Sequence, residues 1–163
     1  MENNPKTLVA YFSATGNTAE VARSIAGATG GTLYEIVPKE AYSSADLDWN
    51  DKKSRSSVEM NDPKARPALK EQGVDIAGYD VVFIGFPIWW NEAPRVVNTF
   101  IESNDLKGKM IVPFATSGGS GISNSVRTLE KTYPALDWNE GKLLNGASED
   151  AIREWTRSVM LEK

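Results

Sequence analysis

Residues 8–18 read Leu8-Val9-Ala10-Tyr11-Phe12-Ser13-Ala14-Thr15-Gly16-Asn17-Thr18. Five apolar residues in succession end in a run of small polar ones, and a helical pattern begins at once, with Val21, Ala22, Ile25 and Ala26 on one face. A short apolar run that does not alternate is the mark of a strand buried on both faces. A strand that turns directly into a helix is half of a parallel crossover unit, so this stretch predicts an α/β fold.

The same reading extends along the chain. Residues 81–86, Val-Val-Phe-Ile-Gly-Phe, form a second central strand, and residues 109–115, Lys-Met-Ile-Val-Pro-Phe-Ala, a third. Pro113 cannot donate to a ladder, which places the end of regular pairing near Val112. Residues 32–37 alternate apolar with polar and read as an edge strand. Helices are expected from Pro94, burying Val97, Phe100 and Ile101, and over 124–133, with Val126, Leu129 and Tyr133 at helical spacing. A last helix starts at Ser148, a good cap followed by Glu149 and Asp150, and buries Ile152, Trp155 and Val159. A weak strand belongs somewhere in 135–144. Residues 38–72 are polar, contain Pro63 and Pro67, and have Trp49 as their one large anchor. They elaborate or replace the second crossover, with helical turns expected at 46–49 and 54–60.

Composition narrows the chemistry. The 163 residues suit one domain, 1–163. The chain has no cysteine and no histidine, which removes disulfides, thiolate or imidazole metal ligands, cysteine nucleophiles and any Ser-His-Asp triad. A net charge of −4 argues against a nucleic-acid partner. No apolar run has the roughly 18 residues that a membrane span needs. The opening Met1-Glu2-Asn3-Asn4-Pro5 lacks the layout of a signal peptide, so the expected location is cytoplasmic.

In an open parallel sheet, ligands bind beyond the carboxyl ends of the strands. Three loops leave that edge: Ser13-Ala14-Thr15-Gly16-Asn17-Thr18, then Pro87-Ile88-Trp89-Trp90-Asn91-Glu92-Ala93-Pro94, then Thr116-Ser117-Gly118-Gly119-Ser120-Gly121. The first sets hydroxyls, an amide and a glycine at a helix amino terminus, where backbone N–H groups favour an anion. It holds no lysine or arginine, so a phosphomonoester bound by neutral donors fits better than a triphosphate. A plain helix cap by Ser13 or Asn17 is the alternative at this loop. The second loop carries two successive tryptophans that cannot both point inward, and an indole stacks well on a flat aromatic ligand. The third lets backbone groups approach the polar edge of a heterocycle, or is simply a flexible turn. It is no nucleophile elbow, because Ile122 stands where the second glycine should be and no histidine can act as base. A phosphate, a flat ring and a polar ring edge together describe flavin mononucleotide (FMN).

These loops carry a resemblance to the flavodoxin family. The first is similar to that family's S/T-x-T-G-x-T phosphate signature. Gly85-Phe86-Pro87-Ile88-Trp89-Trp90-Asn91-Glu92-Ala93-Pro94 and Pro113 to Gly121 resemble the flavin loops of a bacterial flavodoxin-like branch, and Asp46 to Asp51 extends the likeness into the 38–72 segment. The resemblance implies a flavodoxin-like three-layer sandwich, a five-stranded parallel sheet in order 2-1-3-4-5, and non-covalent FMN. It implies that Ser13, Ala14, Thr15, Gly16, Asn17 and Thr18 hold the phosphate, that Pro87, Ile88, Trp89 and Trp90 border the ring, and that Thr116, Ser117, Gly118 and Gly119 meet its polar edge. It implies an electron carrier with a reductase and an acceptor protein as redox partners. The alternative is an FMN-dependent NAD(P)H oxidoreductase acting on quinones or similar acceptors, because the third loop lacks the tyrosine that covers the flavin in many flavodoxins. Trp90 could be covered by a partner chain as readily as by flavin, which leaves the oligomeric state open.

Overall fold

The apolar runs do lie side by side in the middle of a parallel sheet. A computed structural model of the chain describes residues 6–13, 16–48, 50–71, 76–116 and 121–162, the side chains of 161 and 162 aside. In chain order the elements are β1 (Thr7–Tyr11), α1 (Asn17–Thr29), β2 (Thr32–Glu35), α2 (Arg55–Asn61), β3 (Val81–Pro87), α3 (Arg95–Ser103), β4 (Met110–Thr116), α4 (Ser123–Thr132), β5 (Asp137–Trp138), β6 (Lys142–Leu143) and α5 (Glu149–Glu162). The sheet order is β2-β1-β3-β4-β5, all parallel, with β6 also alongside β4. This is the flavodoxin-like order expected, with its fifth position shared by two short pieces.

The strand period of two divides the core. Leu8, Ala10, Phe12, Val82, Ile84 and Phe86 face one side with Val97, Phe100 and Leu129 of α3 and α4. Val9, Tyr11, Val81, Phe83, Val112 and Phe114 face the other with Ala22 and Ile25 of α1 and Ile152 and Val159 of α5. Strands covered on both faces must be apolar at every position, which is why these runs do not alternate. β2 pairs with β1 alone and is the edge strand expected. Ser148 caps α5 by accepting the Ala151 N–H at 3.1 Å, while Trp155 is half-buried, edge-on to Phe83.

The expected end of pairing near Val112 is wrong. β4 stays in register with β3 through Thr116, with Pro113 opposite Ile84. The Ile111 and Ala115 carbonyls accept from Asn139 and Leu144, so alternate residues of β4 direct their backbone groups toward the fifth position. Pro113 faces that same side, where β5 has ended and β6 has not begun. Its missing N–H therefore interrupts no ladder bond.

Residues 38–72 form an excursion closed at its base by an antiparallel bridge between Pro38 and Leu69. Within it lie a turn at 44–47 and α2, whose cap Ser54 accepts the Ser57 N–H at 3.4 Å. α2 lies where a helical turn was expected at 54–60; the other turn, expected at 46–49, comes two residues earlier, and Trp49 lies outside the described residues. Among the described residues, no helix is long and apolar enough to cross a membrane.

Candidate functional site

The first loop leaves the sheet while still tied to it. The Phe12 N–H donates to the Gly85 carbonyl at 2.9 Å, and Ser13 Oγ accepts the Gly16 N–H at 3.0 Å. Gly16 takes φ +97° at the amino end of α1, a left-handed conformation that suits glycine. The Glu20 N–H to Gly16 carbonyl bond closes the first helical turn, so the amides of that turn point out of the helix end. Thr18 is buried at 1% exposure, and its Oγ1 lies 2.8 Å from Thr116 Oγ1. That hydroxyl pair locks the start of α1 to the end of β4.

The second loop is a tight turn. Trp89 and Glu92 exchange backbone hydrogen bonds of 2.9 and 3.0 Å, and Trp90 and Asn91 between them have φ +50° and +63°. Positive φ at both central residues is the signature of a type I′ turn. Asparagine takes this conformation readily, whereas a bulky side chain there is an outlier. α4 braces the turn, because Asn124 Nδ2 and Ser125 Oγ donate to the Asn91 carbonyl at 2.8 and 2.9 Å. The indoles diverge. Trp89 packs edge-on to Phe12 and Tyr42, with ring centroids 5.7 and 5.4 Å away, while Trp90 is 45% exposed. Tyr42 is half-buried: desolvation, and next its hydrogen bond to Glu59, hold its phenol well above the ordinary tyrosine range.

These loops border a cavity of about 900 Å³ at the carboxyl edge of the sheet. Asn17, Glu20, Val21 and Ser24 of α1 form one wall, and Pro87, Ile88, Trp89, Trp90 and Thr116 another. Ser13, Gly16 and Thr18 are not among the lining residues, Gly16 being exposed and Thr18 buried against Thr116; Ala14, Thr15, Ser117, Gly118 and Gly119 lie outside the described residues. The charged lining residues are Glu20 and Glu149, with no lysine or arginine among the described ones.

Two walls escaped the sequence reading. One is the loop after β6, with Leu144, Asn145, Gly146 and Ala147, continued by Glu149 and Ile152 of α5. Its signal was present, since an Asn-Gly turn before the Ser148 cap must follow the fifth strand at the same sheet edge. The other is Leu47 and Ser56 from the 38–72 excursion, which no local pattern announces.

The flavodoxin family model matches residues 6–159, nearly the whole chain, and the sheet order agrees with it. The chain belongs to the flavodoxin family. No curated protein matches this sequence. Among solved structures, a candidate flavoprotein from Bacteroides eggerthii shares 62% identity with this flavodoxin-family chain at a TM-score of 0.93, covering 98% of this chain and 100% of its own. A candidate flavoprotein from Bacteroides uniformis shares 57% at a TM-score of 0.92, covering 95% and 99%. A flavoprotein from Lactobacillus acidophilus, solved in complex with FMN, has the same fold at 23% identity and a TM-score of 0.68, covering 85% and 92%.

Proposed function

We propose that this flavodoxin-family protein binds FMN non-covalently in the cavity and carries electrons between a reductase and an acceptor protein. The observation that carries the reading is the convergence of the sheet-edge loops on one cavity of about 900 Å³, within the 300–1,000 Å³ range usual for cofactor sites. The residues present suit such a group. Neutral donors at the amino end of α1 match a phosphomonoester, and the partly exposed Trp90 indole matches a flat ring.

Ser13, Ala14, Thr15, Gly16, Asn17 and Thr18 would hold the phosphate, with the Thr18–Thr116 hydroxyl pair fixing that loop against β4. Pro87, Ile88, Trp89 and Trp90 would border the ring, and Thr116, Ser117, Gly118 and Gly119 its polar edge. FMN supplies the redox chemistry that no side chain of a protein without cysteine or histidine provides. The protein's part is to orient the ring, shield one region of it and leave another reachable. Membership of the flavodoxin family supports the carrier as the first reading. The second reading, an FMN-dependent NAD(P)H oxidoreductase acting on quinones or similar acceptors, rests on the third loop, which has no aromatic residue to cover the ring.

An anaerobic titration of the FMN-loaded protein separates the two. A carrier keeps its yellow spectrum under saturating NADPH or NADH and bleaches once a catalytic amount of flavodoxin reductase is added. Prompt bleaching by the pyridine nucleotide alone would establish the oxidoreductase.

A further inference from the structure

Arg95 is the most enclosed charged side chain among the described residues, at 4% exposure. It opens α3, just beyond the Trp89–Glu92 turn. Its guanidinium spreads over three acceptors: Nε on the Glu59 carbonyl at 3.2 Å, Nη2 on the Met60 carbonyl at 2.9 Å, and Nη1 on Glu92 Oε1 at 3.1 Å. The first two belong to the last turn of α2, where the Glu59 carbonyl also accepts the Asp62 N–H at 3.1 Å and the Met60 carbonyl takes Nη2. The third belongs to the turn that bears Trp90. A planar fork of fixed geometry can bridge two such elements as no lysine could.

Trp90 sits in the left-handed region, which a bulky residue occupies only where its surroundings dictate it. Its neighbours are pinned one by one. Trp89 is closed onto Glu92 through the backbone, Asn91 is held by Asn124 and Ser125, and Glu92 is held by Arg95.

We propose that Arg95 and Glu92 are positioning residues for Trp90. The guanidinium, seated on the end of α2, fixes the Glu92 carboxylate, and through it the turn that presents the indole to the cavity. The 38–72 excursion thus acts on the site from behind as well as lining it with Leu47 and Ser56. The proposal rests on the reading of the cavity as a flavin site and adds a dependence of flavin affinity on α2.

The test is a double-mutant cycle on FMN affinity, read by quenching of flavin fluorescence on titration of the full-length apoprotein. E92A is expected to weaken FMN binding about tenfold, the loss of one charge-assisted hydrogen bond. In a W90A background the same change should cost less than about twofold, because the route to the flavin is already cut. E92Q, which keeps an oxygen for Arg95, should stay within about threefold of wild type. Amide exchange at Trp89, measured without flavin, should quicken in E92A while Val82 and Phe83 keep their protection. An equal loss of affinity with and without Trp90, or unchanged exchange at the turn, would overturn the proposal. A wild-type protein that fails to bind FMN would sink the flavin reading instead, and exchange at the turn would still decide whether Glu92 holds it.

Discussion

Gly141 stands in the gap between β5 and β6 at φ +72°, and a Cβ built on it would lie 2.3 Å from the Pro113 carbonyl oxygen. Two single residues thus solve one problem: a proline in mid-strand needs a neighbour that asks for no hydrogen bond, and the neighbour turns aside on a glycine. G141A combines left-handed strain with overpacking and should cost about 2–4 kcal/mol. It would appear as a lower urea midpoint at unchanged slope. This is the scale at which the sequence misled. Pro113 carries its penalty on its face, but the broken partner that removes it is a property of two residues read with difficulty, Asp137 and Trp138, and two more, Lys142 and Leu143. Thr18 teaches the same lesson at the site. Its hydroxyl reads only as a donor to an anion in the sequence, and its second partner, Thr116 Oγ1 at 2.8 Å, comes from 98 positions later. The paired tryptophans were legible from local geometry alone: successive side chains in one loop cannot share a direction.

Among the elements, the 38–72 excursion is fastened through two half-buried tyrosines. Tyr42 lies beneath the Arg55 guanidinium, 3.9 Å from its ring centroid, and hydrogen-bonds Glu59 of α2. Tyr133, just past α4, bonds Glu102 of α3, which also takes Arg66 of the excursion at 2.8 Å. Burial first, and then the carboxylate partner, pushes Tyr133 up to about 12, and the same causes in the same order raise Tyr42 further. An unfolded tyrosine loses its proton near pH 10, at about its ordinary value. Above that pH the unfolded chain binds fewer protons than the folded one, so stability falls as pH rises. It is fully present below about pH 10 and is lost toward and beyond pH 12. Urea midpoints compared at about pH 9 and about pH 11 should therefore drop, and Y133F should make the drop shallower. α2 itself was legible from Ser54 and the helical turns around it. Its attachments were not, since each joins residues dozens of positions apart.

For the whole molecule, the sheet was the most readable feature because both of its faces are covered. A strand buried on two sides leaves no polar position to blur it, and α/β crossovers then fix the direction of every neighbour. Parallel strands send their carboxyl ends to one edge, so three loops far apart in the sequence could be placed at one site before any side chain was located. The fourth loop, after β6, was lost with the two-residue strand that leads into it. If those loops make one flavin site, binding must stabilise the entire fold, since a ligand held only by the native state shifts the unfolding equilibrium by mass action. At FMN a hundred times above its dissociation constant the gain is about 2.7 kcal/mol, or roughly 5–10 °C in melting temperature for a chain of this size. Riboflavin, which lacks the phosphate, should give a smaller shift at the same concentration, and the difference measures what the first loop contributes. T15E places a carboxylate where the phosphate is expected and should abolish the FMN shift while the melting temperature without ligand stays unchanged. A T15E protein that FMN still stabilises as it does wild type would remove the phosphate from this loop. If FMN and riboflavin stabilised wild type equally, the ring alone would hold the cofactor, and the neutral donors of the first loop would be a helix cap.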